Sequence, residues 1–208
     1  MAMKLVLIGP PGSGKGTQAS RLRERFGIPH LSSGDILRAQ VAEGTEFGKK
    51  IKQYMDRGEI GPAELITEVI LDHLGRTCPD GFILDGFPRT LYQAEKLSES
   101  HAINATILID VPEKEIISRI SGRLSCRKCN SIYHSTNKPP RQENVCDACG
   151  GPLFHRQDDN EETILNRMRV YNKETRPVVD FYRKAGQLHA VNGARDADSI
   201  FADIITLL

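Results

Sequence analysis

Gly9-Pro10-Pro11-Gly12-Ser13-Gly14-Lys15-Gly16-Thr17 decides the fold. A short apolar run at residues 4–9 leads into it, and residues 17–26 beyond it carry polar and apolar positions at helical spacing. Strand, glycine-rich loop and helix in that order form the context that a phosphate cradle requires. Glycines let successive backbone N–H groups turn inward around phosphate oxygens. The helix N-terminus adds partial positive charge, and Lys15 carries a mobile ammonium to the outer phosphates. On this reading Gly12, Ser13, Gly14, Lys15, Gly16 and Thr17 hold a polyphosphate. An ordinary strand-to-helix turn also uses such glycines, but the spacing and the lysine together favour the cradle. Gly16 stands where Ser or Thr is usual, and the hydroxyl arrives one place later, at Thr17. Contact with a phosphate therefore stands beside Mg²⁺ ligation as its role.

Outward from the loop the pattern repeats. Residues 82–85 and 105–111 are short apolar runs, each followed by a helix-competent polar stretch, and residues 30–32 and 188–192 are weaker versions. Helices are expected at 34–42, 46–57, 62–75, 91–98, 113–123, 161–185 and 197–207. Alternating strands and helices predict an α/β fold, a parallel five-stranded sheet flanked by helices, with ligands at the carboxyl ends of the strands. Residues 125–160 break this rhythm. They hold four Cys, several Pro, paired Gly and no long periodic run, and read as an insertion too small to bury a core unaided.

A length of 208 residues suits one core domain with insertions. Lys and Arg number 28 against 27 Asp and Glu, a net charge of +1, so no whole-molecule field draws the chain to nucleic acid or an anionic membrane. Any anion is held by local groups. The apolar start is far shorter than the roughly 20 residues of a spanning helix, and no signal-peptide pattern follows it, so a cytoplasmic protein is expected. Five Cys without an export signal point to metal ligation or free thiols rather than disulfides.

Four of them are spaced as Cys126-x-x-Cys129, sixteen residues, then Cys146-x-x-Cys149, the spacing of a tetrahedral four-thiolate Zn²⁺ site. Four protein ligands leave no open position for a catalytic water, so the role is structural. Four free thiols, or His134 or His155 replacing a Cys, are the alternatives. Cys78, alone before Pro79, reads as a core thiol.

Two further segments point to a second substrate. Ser33-Gly34-Asp35 followed by Arg38 places a helix cap and, one turn on, a guanidinium suited to a phosphate. Leu84-Asp85-Gly86-Phe87-Pro88-Arg89-Thr90 lies at the end of an expected strand, so Asp85 and Arg89 face the crevice of Lys15, although Asp85 alone also reads as a helix cap. With the loop, these segments make the chain resemble the adenylate kinases over essentially its whole length, in their long-lid, zinc-bearing bacterial type. The resemblance implies transfer of a phosphoryl group from Mg²⁺-bound ATP to AMP, giving two ADP. It implies a monomer with an AMP-binding segment at 32–61 and a zinc lid at 122–159.

By the same resemblance Ser33, Arg38, Gly86, Arg89 and Gln93 hold AMP, with Gln93 at the adenine edge and Phe87 and Pro88 beside them. Asp85 holds Mg²⁺ through water, and a cis peptide precedes Pro88. Glu59, Ile60 and Gly61 line the AMP base, and Gly61 replaces an apolar residue of relatives, which implies a looser pocket. Arg119 and Arg123, four apart on one expected helical face, lie against the donor nucleotide, and Arg156 and Arg167 clamp the moving phosphoryl. Ile132 and Tyr133 touch the donor as the lid shuts, and Arg195 reads its adenine through the backbone carbonyl. A nucleic-acid-binding protein fits poorly with the balanced charge, and a nucleotide-gated switch would need no acceptor. A kinase for UMP or CMP, or one using GTP, is opposed by Gln93 and the long lid.

Overall fold

The computed structural model describes residues 3–208. In chain order the strands are β1 (Lys4–Ile8), β2 (His30–Ser32), β3 (Phe82–Asp85), β4 (Ala105–Asp110), β5 (Arg123–Cys126), β6 (Ile132–His134), β7 (Leu153–Phe154) and β8 (Leu188–Asn192). The helices are α1 (Lys15–Phe26), α2 (Ser33–Ala42), α3 (Glu46–Asp56), α4 (Ala63–Thr77), α5 (Leu91–Ser100), α6 (Glu113–Ser121), α7 (Glu161–Val170), α8 (Arg176–Lys184) and α9 (Ala197–Leu207).

Five strands form one parallel sheet in the order β2-β3-β1-β4-β8. Both faces are buried, and the period-2 alternation of side chains divides the core accordingly. Val6, Ile8, Phe82 and Leu84 pack with Leu37, Ile51, Ile70, Leu97 and Tyr182 on one face. Leu5, Leu7, Ile83 and Ile107 pack with Leu22, Ile116, Ile164 and Ile204 on the other. Apolar runs without alternation are thus what a sheet covered on both sides demands. Polar caps start several helices: the side chains of Ser32, Thr45, Thr90, Asn160 and Asp196 accept backbone N–H groups at α2, α3, α5, α7 and α9.

The helices α2 and α3 form a hairpin whose closest approach requires Gly48. A Cβ there would stand 2.0 Å from the Gln40 carbonyl oxygen. The chain between α6 and α7 folds as a three-stranded antiparallel sheet, β6-β5-β7. It has a small apolar cluster of its own, Leu124, Cys126, Tyr133, Cys146 and Leu153, in which two of the five members are cysteines.

Core boundaries match the sequence expectation within two residues, but two differences matter. The helix expected to run to Arg123 ends at Ser121; Gly122 follows and Arg123 opens β5. Arg119 and Arg123 therefore do not share a helical face, because the second has crossed from the core into the insertion. The helix expected over 161–185 is three pieces, α7, a π-helical turn at Tyr171–Thr175, and α8. Pro177 lies in the first turn of α8, where a missing N–H costs least.

Candidate active site

At the carboxyl end of β1 the loop turns on Gly12 and Gly14, at φ of +76° and +92°, a left-handed backbone that glycine adopts without a Cβ penalty. Lys15 opens α1 and folds back over the loop, its Nζ donating to the carbonyls of Gly9 at 2.8 Å and Pro10 at 2.9 Å and to Ser13 Oγ at 3.3 Å. Burial lowers its pKa to about 8. Asp85 works against that fall, while Arg89, Arg167 and Arg123 add to it. Asp85 ends β3 beside α1, and a Cβ on Gly16 would lie 3.4 Å from its Oδ2. Burial favours its neutral form, yet His30, at 3.8 Å, with Lys15 and Arg89, holds the carboxyl below its usual range. An ionised oxygen donor beside the phosphate loop is what Mg²⁺ accepts, so the residues present fit that ion.

Across the crevice Arg89 is fixed from three directions. Its backbone N–H donates to Gln93 Oε1 at 2.7 Å, its carbonyl accepts from Thr175 Oγ1 at 2.9 Å, and its Nε donates to the Gly86 carbonyl at 2.7 Å. Ser33 Oγ donates to the same Gly86 oxygen at 2.7 Å. The Phe87–Pro88 peptide is cis. Arg38 pairs with Asp35, one turn earlier on α2.

Three more guanidinium groups close the ring from the insertion and α7. Arg123 grips Asp159 with two nitrogens, Nε at 2.8 Å from Oδ2. Arg167 Nη1 lies 3.1 Å from Asp158 Oδ2 and 3.3 Å from Asp159 Oδ1, and Arg156 Nε donates to Ser125 Oγ at 2.8 Å. Burial brings the pKa of Arg156 and of Arg167 down to about 10, with neighbouring arginines contributing. Asp35, Asp158 and Asp159 offset part of this crowding of cations, and a further anion would relieve the rest.

Two cavities meet at this ring. The larger, about 1140 Å³, is lined by the loop from Gly12 to Thr17, by Asp85 and Pro88, by Arg119, Arg123 and Arg156, and by Ile132, Tyr133 and Arg195. The smaller, about 60 Å³, lies between the α2–α3 hairpin and β3 and is lined by Ser33, Glu59, Ile60, Gly61 and Gln93. Arg38, Gly86, Arg89 and Arg167 line both. With one exception, all the residues singled out from the sequence for nucleotide contact are brought to one or the other. The exception is Phe87, which lines neither; its side chain is 1% exposed and packed in the core. Gly61 lines the smaller cavity with two isoleucines behind it. Ile51 Cδ1 and Ile66 Cδ1 come within 2.8 and 3.3 Å of where a Cβ would sit, filling the space from behind. Arg119 and Arg195 meet the larger cavity while ion-paired with Glu115 and Asp203.

Sequence reading passed over Asp158, Asp159, His30 and Thr175 as site residues. The two aspartates carried a signal, a paired charge two places after Arg156, and the Asp159 side chain is only 3% exposed. Thr175 carried none, since it reaches Arg89 only through the π-helical turn.

The four insertion cysteines place their Sγ atoms within 4.8 Å of one another. Cys126 and Cys149 are 3.5 Å apart, and Cys129 and Cys146 3.6 Å. A tetrahedron with Zn–S bonds of about 2.3 Å has edges of about 3.8 Å, so the set fits zinc. Among the described residues no histidine joins the cluster. His134 Nδ1 instead accepts the backbone N–H groups of Thr136 and Asn137, each at 3.1 Å.

The family model for adenylate kinase matches residues 7–187. The chain is 49% identical over 212 aligned residues to an adenylate kinase of Archaeoglobus fulgidus, an alignment covering 99% of this chain and 98% of that protein. It is 47% identical to an adenylate kinase of Methanosarcina barkeri and 46% identical to one of a Geobacillus species, each with the same coverage.

Proposed function

The chain belongs to the adenylate kinase family and catalyses ATP + AMP = 2 ADP, and from that premise we propose which residues carry the reaction. The observation that supports the assignment best is the shared wall: two cavities of different size meet at Arg38, Arg89 and Arg167. ATP occupies the larger cavity with its phosphates on the backbone N–H groups from Gly12 to Thr17. Lys15 then leaves the carbonyls of Gly9 and Pro10 for the outer phosphates, an exchange that returns a desolvated ammonium to anionic partners. AMP occupies the smaller cavity, its phosphate toward Arg38 and Arg89.

Base selectivity follows from one hydrogen bond. Gln93 Oε1 already accepts the Arg89 N–H, and with that bond kept the amide NH₂ is the donor offered to the base. It donates to a ring nitrogen that is an acceptor in adenine and an N–H donor in guanine. Arg123, Arg156 and Arg167 exchange their bonds to Asp159, Ser125 and Asp158 for the γ-phosphoryl, stabilising charge on its equatorial oxygens. Arg119, Ile132, Tyr133 and the Arg195 loop flank the donor nucleoside, and Glu59, Ile60 and Gly61 the acceptor. The attacking phosphate oxygen is already anionic, so no general base is required. Closure of segments 32–61 and 122–159 excludes water, which keeps the phosphoryl from hydrolysis.

Mg²⁺, when bound with ATP near Asp85, neutralises phosphate charge. Zinc held by Cys126, Cys129, Cys146 and Cys149 contributes folding free energy to the insertion. We further propose a cytoplasmic monomer with small-molecule substrates and no nucleic-acid or membrane partner, in keeping with the net charge of +1. Among the described residues, no helix is long and apolar enough to cross a membrane. Arg89→Ala tests the assignment. Turnover should fall by about a thousandfold with the melting temperature nearly unchanged, and near-normal turnover would remove Arg89 from the reaction.

A further inference from the structure

Tyr133 lines the large cavity, yet its hydroxyl is turned to a different task. The side chain lies in the apolar cluster of the insertion, 5% exposed, on a strand paired with β5 through Leu124. Its oxygen accepts the Asp147 backbone N–H at 2.8 Å and lies 3.5 Å from Cys146 Sγ. With that N–H on the oxygen, the phenolic proton is free to point at sulfur, and a metal-bound thiolate has no proton of its own to offer. We propose that Tyr133 is a positioning residue of the zinc site, donating a hydrogen bond to the Cys146 thiolate and fixing the second knuckle through Asp147.

Four thiolates on Zn²⁺ leave a net charge of −2 on the cluster, so donors to sulfur are what make its burial tolerable. Cys126 receives one from the Lys128 backbone N–H at 3.4 Å, and the exposed Cys129 meets Ser131 Oγ at 3.1 Å. Among the described residues Tyr133 is the one buried side-chain hydroxyl on a buried cysteine. Lys138 Nζ lies over the Tyr133 ring, 5.5 Å from its centroid.

The proposal rests on the zinc reading and is tested on the full chain as Tyr133→Phe, which keeps the ring and removes the hydroxyl. Competition with a chromophoric chelator should show zinc affinity reduced about 10- to 100-fold. In the cobalt(II)-substituted protein the thiolate-to-metal charge-transfer band should move to lower energy, because a sulfur stripped of its hydrogen bond is a better electron donor. Leu124→Val, which thins the same cluster without touching sulfur, should lower the melting temperature and leave the band in place. An unchanged zinc affinity and band in Tyr133→Phe would overturn the proposal, as would an equal band shift in Leu124→Val. If the unsubstituted protein itself takes up no zinc or cobalt, the zinc reading fails instead.

Discussion

Lys15 should impose a basic limit on capture of ATP that disappears once ATP is bound. In the ligand-free protein its ammonium is buried against carbonyl oxygens and faces three arginines, which lowers its pKa from 10.5 to about 8. A displacement of that size corresponds to about 3 kcal/mol against the charged form. At pH 9 about one molecule in ten keeps the proton, so kcat/KM for ATP should be about tenfold lower than at pH 7, and it should continue to fall tenfold per pH unit. Above pH 7 the terminal phosphates, with a second pKa of about 6, are fully ionised and add no competing change. With ATP bound, the phosphates stabilise the ammonium, so kcat at saturating ATP should stay level across the same range. Initial rates of ADP formation from pH 7 to 10, at saturating AMP and with ATP below and above KM, separate the two. The same displacement has a consequence for stability. Between about 8 and 10.5 the unfolded chain holds more protons than the folded one, so Lys15 makes the free protein more stable as pH rises through that window. A kcat/KM that stays flat to pH 10 would refute the reasoning, because the ammonium would then be no harder to keep in the loop than in water.

Three other perturbations have signs fixed by geometry. Chelation of zinc should lower the melting temperature by many degrees before it reduces activity in the cold, since metal binding in such sites is worth roughly 10 to 16 kcal/mol to folding; an unchanged melting curve would deny the cluster its structural role. Gln93→Glu keeps an oxygen for the Arg89 N–H but replaces the amide NH₂, the donor proposed to meet the base, with an acceptor. Capture of AMP should fall about 10- to 100-fold relative to GMP, as measured by kcat/KM for the two acceptors. Gly48→Ala sets a methyl against the Gln40 carbonyl, where the Cβ would stand at 2.0 Å, so the hairpin must splay. A loss of about 1 to 3 kcal/mol in denaturant unfolding is expected, together with a higher KM for AMP.

Much of the core was legible because its signals are local. Residues 82–84 and 107–109 are apolar without alternation, as strands of a sheet covered on both faces are, and the loop from Gly9 to Thr17 announces the strand before it and the helix after it. The paired C-x-x-C spacing likewise brought together four residues that no periodicity would have connected. What escaped was set by tertiary contact. In Ile120-Ser121-Gly122-Arg123 the glycine is a local stop signal, and it caps α6; that the chain then enters a strand is set by tertiary contact, since Gly122 packs directly against the His134 ring, where a Cβ would stand 2.4 Å away. The π-helical turn at Tyr171–Thr175 is similar. Its sequence has ordinary helical character, and the extra residue places Thr175 Oγ1 on the Arg89 carbonyl. Phe87 is a different case, since it stands within the signature while its side chain serves the core, which leaves its backbone as the part able to face the crevice. At Gly61 the sequence shows only a missing side chain, and the structure adds that Ile51 and Ile66 stand next to the position a Cβ would take.

The claim on which the rest depends is that two nucleotides lie phosphate to phosphate across one ring of arginines, so that the phosphoryl passes directly between them. Phosphorus-31 NMR of the purified protein with Mg²⁺, ATP and AMP follows every species at once. The account predicts two ADP formed for each ATP consumed, at a rate that depends on AMP, with no inorganic phosphate signal. Loss of ATP to ADP and inorganic phosphate at a rate indifferent to AMP would contradict it.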